Sequence, residues 1–156
     1  MLVTVLPMML IQGVTGIFQN FVAHASPDNL RLVCVNLRDY PGSTRYNTQE
    51  LDLITSGDVK KQAAFMRAQG LQVAALLESL GKTLDIPPIT DVDGRCTGGM
   101  ALMTWSMSNS LSNAFLAHAP SLPEETKGFL EKHLRKVVYL GRQYRCELLG
   151  VFYLLN

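Results

Sequence analysis

Four short apolar runs alternate along this chain with segments of helical periodicity, and that alternation predicts a parallel sheet crossed by helices. The runs are Val3 to Ile11, Leu30 to Asn36, Met100 to Trp105 and Lys136 to Leu140. Leu32-Val33-Cys34-Val35 is unbroken, as expected of a strand buried on both faces. After the first run, Gln12-Gly13-Val14-Thr15-Gly16 makes a loop, and Ile17, Phe18, Phe21 and Val22 carry helical spacing. Arg38 to Thr44 is a second loop, punctuated by Pro41 and Gly42. Asn47 before Glu50, and Thr55 before Asp58, have the spacing of helix starts. Val59, Ala63, Met66, Gly70, Val73, Leu77 and Leu80 then recur at steps of four and three, which puts them on the buried face of one long helix. Lys60, Lys61, Arg67, Gln72 and Glu78 take the opposite face. Gly81 is expected to end this helix, Pro87-Pro88 to prevent its resumption, and Asp91 to Gly98 to form an exposed connection. A helix from Met107 to Ala119 is closed by Pro120, and another opens at Leu122-Pro123-Glu124-Glu125 and runs to Arg135.

Composition narrows the classes of partner. A chain of 156 residues fits one domain, and a hydrophobic share of 47% against 17% charged residues leaves apolar surface in search of cover. The formal charge of +1 has no footprint for nucleic acid. Cys34, Cys96 and Cys146 are odd in number and widely spaced, which suits reduced thiols in a cytoplasmic protein. The apolar start with Ala23-His24-Ala25 lacks the basic segment of a secretory signal, and no run reaches the ~18 residues of a membrane span. Asp28, Asp91 and Asp93 have no metal-ligand spacing with any histidine, and there is no phosphate-cradling glycine loop, so neither metal nor cofactor is expected.

Chemistry is concentrated where the third strand runs into a small-residue turn, Met100-Ala101-Leu102-Met103-Thr104-Trp105-Ser106-Met107-Ser108-Asn109. Ser106 reads either as an ordinary helix cap or as a serine held above a sheet on a strand-to-helix turn. With the loop Arg38-Asp39-Tyr40-Pro41-Gly42-Ser43-Thr44 upstream, this segment resembles the α/β-hydrolase superfamily, in particular fungal-type hydrolases with an R-D-Y-P-G-S-T loop. The resemblance covers about Leu10 to Leu140. It implies a partial α/β-hydrolase domain over residues 1–140, mostly parallel with helices on both faces of the sheet. Residues 141–156 form a divergent tail, and the C-terminal strands are missing, as in a truncated member.

The same resemblance assigns Ser106 the nucleophile position, the amides of Val14 and Met107 the oxyanion donors, and Gly13, Asp39 and Trp105 the candidate pocket. Thr104 and Ser108 stand where relatives have glycine, and Gln12 stands before Gly13 where many have histidine. Asp39 reads more simply as a turn-stabilising side chain than as an acid of the site. His118 is about 18 Å along its helix from Ser106 and points away, and His24 and His133 lie on or at the ends of helices rather than in loops at the carboxyl edge. The expected function is an α/β-hydrolase-like protein, by ancestry a serine hydrolase for a small ester, amide or similar carbonyl substrate, inactive in this form. The alternative is a non-catalytic module that binds a small molecule or a protein. An uncovered sheet edge would also favour self-association.

Overall fold

The apolar runs line up side by side in a five-stranded sheet, in the order β2-β1-β5-β6-β7. The computed structural model describes residues 2–8 and 151–153 as strands, and residues 23, 25, 27, 30–40 and 42–140 throughout. Its strands are β1 (Leu2–Met8), β2 (Leu30–Asn36), β3 (Thr90–Val92), β4 (Arg95–Thr97), β5 (Met100–Trp105), β6 (Leu134–Leu140) and β7 (Val151–Tyr153). Its helices of eight residues or more are α1 (Thr48–Thr55), α2 (Val59–Thr83), α3 (Asn109–His118) and α4 (Glu124–His133). Strands β2, β1, β5 and β6 run parallel, with Val5 beside both Val33 and Leu102, and Leu102 beside Val137. The mixed α/β architecture with parallel strands therefore agrees with the alternating pattern. The helix expected at Ile17 to Val22, which would cover the second face, lies outside the described residues, as do Gln12 to Gly16.

Several expectations change, among them the boundary before the last parallel strand: α4 ends at His133 rather than Arg135, and β6 starts at Leu134 rather than Lys136. The tail adds β7, which pairs antiparallel with β6 through Val151 opposite Val138 and Phe152 opposite Val137. The unbroken centre of β2 is not buried on both faces: β2 is an outer strand of the sheet, its Leu32, Val33 and Val35 are half-buried, and Cys34 is exposed. The exposed connection before β5 is a small antiparallel hairpin, β3–β4. Its turn residues Asp93 and Gly94 have φ of 53° and 74°, the geometry for which an Asp-Gly pair is favoured between two short strands.

Helix α2 begins at Asp58, whose carboxylate accepts from the amides of Lys60 at 2.7 Å and Lys61 at 3.3 Å. Its buried residues are Gln69, Gly70, Ala74, Leu77 and Gly81, of which the expected stripe held Gly70 and Leu77, and Val59 at the exposed end is 78% accessible. Gly81 does not terminate the helix. It lets Phe129 and Met100 lie against the α2 backbone, and the chain turns only after Leu84, at Asp85 with a φ of 49°. Gly70 plays the same part toward α3, where an added Cβ would sit 2.6 Å from the Ala114 carbonyl carbon. The core between these helices and the sheet contains Ala74, Leu77, Met100, Leu102, Phe115 and Val137. Burying each large side chain of this kind contributes roughly 1.5–3 kcal/mol.

Gly70→Ala should therefore destabilise the fold by about 1–3 kcal/mol, because the obstacle is backbone that cannot rotate aside, even though alanine favours a helix by about 1 kcal/mol. Gly81→Ala meets only the ends of Phe129 and Met100 and should cost less. Urea unfolding midpoints check the order, and a Gly70→Ala protein as stable as the parent would disprove the close α2–α3 crossing.

Candidate functional site

Strand β5 ends at Trp105, and the next residue, Ser106, has a φ of 55°. For a residue with a Cβ this left-handed conformation costs roughly 1–2 kcal/mol, and such strain persists only where the surroundings impose it. Here they do. Thr104 is fully buried, and its Oγ1 accepts a hydrogen bond from the Ser112 hydroxyl at 3.1 Å, which ties the end of β5 to the first turn of α3. The Asn109 side-chain amide nitrogen donates to the Leu140 carbonyl at 3.3 Å, which ties the start of α3 to the end of β6. Between these anchors the chain has room only for a single 3₁₀ turn, Ser106–Ser108, before α3 begins. Threonine at 104 thus fits the turn and helps to build it.

Ser106 and Met107 are exposed, Met107 by 69%. Ser108 is buried, and its hydroxyl and the Asn109 side-chain oxygen have no hydrogen-bond partner among the described residues. No hydrogen bond engages the Ser106 hydroxyl among the described residues. The turn stands at the carboxyl end of the parallel strands, between connections that leave in opposite directions: β1 leads to β2 on one side, β5 to β6 on the other. In open α/β sheets such a reversal opens a crevice at the carboxyl edge, where ligands bind. Gly13 and Val14 lie outside the described residues.

A cleft of about 100 Å³ opens on the helix side near this edge. Val35, Leu77, Leu102 and Leu111 contribute its apolar wall, and Arg38 and Gln69 its polar end. Neither Asp39 nor Trp105 lines it. Gln69 was not singled out by the pattern of the sequence, although a polar residue beside Gly70 on an apolar helix face was a signal. It is 5% exposed; its oxygen lies 3.4 Å from the Tyr46 hydroxyl that donates to it, and its amide nitrogen has no partner among the described residues.

Arg38 organises the loop after β2. Its guanidinium grips both oxygens of Glu50, one at 2.8 Å, donates to the Arg45 carbonyl at 3.0 Å, and lies over the Tyr46 ring at 4.7 Å. Glu50 also closes the capping box of α1, accepting from the Asn47 amide at 2.9 Å while Asn47 accepts from the Glu50 amide at 2.9 Å. The Arg38 hydrogen bond, followed by the Asn47 amide, holds the Glu50 carboxyl below its ordinary 4.5. Burial pushes the Tyr46 phenol up, against the lowering influence of Arg38. The Asn47–Glu50 spacing was legible as a helix start; its second use as the Arg38 receptor was not.

Asp39 has a φ of 70°, and its amide donates to the Thr44 carbonyl at 3.0 Å. The turn is closed further by the Ser43 hydroxyl on the Tyr40 carbonyl at 3.1 Å. Asp39 follows β2, which is two strand spacings, roughly 10 Å, from β5. Its position is that of a turn residue.

The histidines sit elsewhere. His133 immediately precedes β6, whose Leu134 is level with Met100, so it is at the amino edge, roughly 20 Å from Ser106 along a six-residue strand. It stacks on Phe129 at 4.0 Å, and its Nδ1 is 2.8 Å from the Phe129 carbonyl. His118 ends α3, about 14 Å along the helix from Asn109. His24 lies outside the described residues. Among the described residues, no three metal-binding side chains gather, and no helix is long and apolar enough to cross a membrane.

Two outcomes test the loop. Glu50 is depressed in the folded state, so its contribution is complete above 4.5 and is lost as pH falls through the lower folded value. Glu50→Gln should therefore lower stability at neutral pH and flatten its acid dependence; an unchanged acid limb in thermal melts would contradict the Arg38 pairing. Asp39→Asn should shift stability by less than about 0.5 kcal/mol in the same melts, because asparagine also tolerates the left-handed turn. A larger loss would assign the Asp39 charge a structural role. Comparison with protein-family models, with curated proteins and with solved structures found no match to the chain.

Proposed function

We propose that this chain is an α/β-hydrolase-like protein, a partial form of that fold, in which Ser106 occupies the nucleophile position of a site for small ester, amide or similar carbonyl compounds. The observation that carries the reading is the φ of 55° at Ser106, in a strand-to-helix turn at the carboxyl edge. A strained, exposed serine braced by Thr104, Ser112 and Asn109 is the arrangement that presents a hydroxyl to a ligand carbonyl. The amide of Met107 follows it and is the donor available to a developing oxyanion, with Val14 as its counterpart by resemblance.

Acyl transfer also needs a base to take the serine proton as the oxygen attacks. Neither His118 nor His133 reaches Ser106, since both belong to the far ends of α3 and α4. This favours a second reading, a binding module in which the turn holds a carbonyl ligand without cleaving it. On either reading, outer strand β2 is the edge through which copies of the chain would associate.

A fluorophosphonate probe should leave Ser106 essentially unlabelled, and p-nitrophenyl ester hydrolysis should not exceed that of Ser106→Ala. Stoichiometric labelling of the parent, lost in Ser106→Ala with the fold intact by circular dichroism, would establish a base within reach and restore the hydrolase reading in full.

A further inference from the structure

The amino edge of the sheet, opposite Ser106, carries a larger opening. A groove of about 1340 Å³ runs between the end of α3, the turn into α4, the start of β6 and the β3–β4 hairpin. The apolar surface it offers comes from the half-buried Ile89, Leu116 and Ala119, which lie over a base of buried Phe115, Leu122, Leu130 and Leu134. The volume exceeds the roughly 300–1,000 Å³ of an ordinary small-molecule pocket, which favours a long ligand.

Charge is distributed unevenly around this surface. The lining contains Lys127, Lys132, Arg135 and Lys136 against a single acid, Glu131, whereas the whole chain is nearly balanced at +1. Lys127, Lys132 and Arg135 have no acidic partner among the described residues, and Arg135 makes one hydrogen bond, to the Gly98 carbonyl at 3.3 Å. Cations with long apolar stems at the margin of an apolar trough can cover an alkyl chain with their methylenes and meet a negative group with their heads. A polyanion would leave the apolar lining uncovered, and a neutral lipid would leave Lys127, Lys132 and Arg135 without an anionic partner.

We propose that this groove binds a long-chain fatty acid as its carboxylate, with the chain over Ile89, Leu116 and Ala119 and the carboxylate toward Lys127, Lys132 and Arg135. The assignment is independent of Ser106, which lies at the other edge.

Calorimetric titration of the full chain with oleate, and separately with methyl oleate, tests it. Oleate should bind saturably, and the uncharged ester roughly tenfold more weakly. Lys127→Glu with Lys132→Glu should weaken oleate by roughly tenfold or more and leave methyl oleate unchanged. Ala119→Trp, which fills the groove, should abolish binding of both. Absence of saturable oleate binding, equal affinity for acid and ester, or indifference to the paired charge reversal would overturn the proposal. The charge reversals are on the rim, so they keep the test decisive even if Ala119→Trp fails to fold.

Discussion

Everything else in this protein is arranged around the helix-facing row of β5. Met100, Leu102 and Thr104 project to one side of a strand flanked by β1 and β6, and all three are fully or almost fully buried. Two of them are apolar and pack against Leu77 and its neighbours on α2. The third is polar and bonds Ser112. The strand thus holds the helical layer by burial along most of its length and by a directed hydrogen bond at its end. Because a buried hydroxyl without a partner is costly, the Thr104–Ser112 pair also fixes the register of α3 on the sheet.

That register creates the Ser106 turn. With β5 anchored at Thr104 and α3 anchored through Ser112 and Asn109, the intervening residues must reverse within one 3₁₀ turn. A left-handed serine is the result, and the local strain is balanced by packing elsewhere. The close approach of α2 to α3 at Gly70 and to α4 at Gly81 has the same origin. Helices drawn onto a narrow sheet must cross at short range, and glycine removes the side chain that would hold them apart.

The two edges of the sheet differ in character. At the carboxyl edge, the loop after β2 is drawn in by the Arg38–Glu50 pair and presents polar groups beside a small cleft. At the amino edge, the turn from α3 into α4 borders a groove lined by apolar residues and by cations.

The apolar runs by themselves determined β2 and β5 to the residue, the parallel class of the sheet, and the turn at Ser106, because each run is short, strongly apolar and bounded by polar or small residues. The Asn47 start was likewise local, since a cap is satisfied within one helical turn, whereas the start read at Thr55 moved to Asp58, because Thr55 is the last residue of α1. Other features depended on residues distant in sequence. Gly81 reads as a terminator from local preference, and only Phe129 and Met100 make it a contact. Ala74 became buried on α2 because α3 approaches at Gly70, and Cys34 became exposed because β2 is an outer strand. The role of Thr104 waited on Ser112, and the two uses of Glu50 on Arg38. Sequence periodicity decides which face of an element is apolar on average. Which residues of that face are covered, and which polar groups find partners there, is settled by neighbours that only the folded chain brings together.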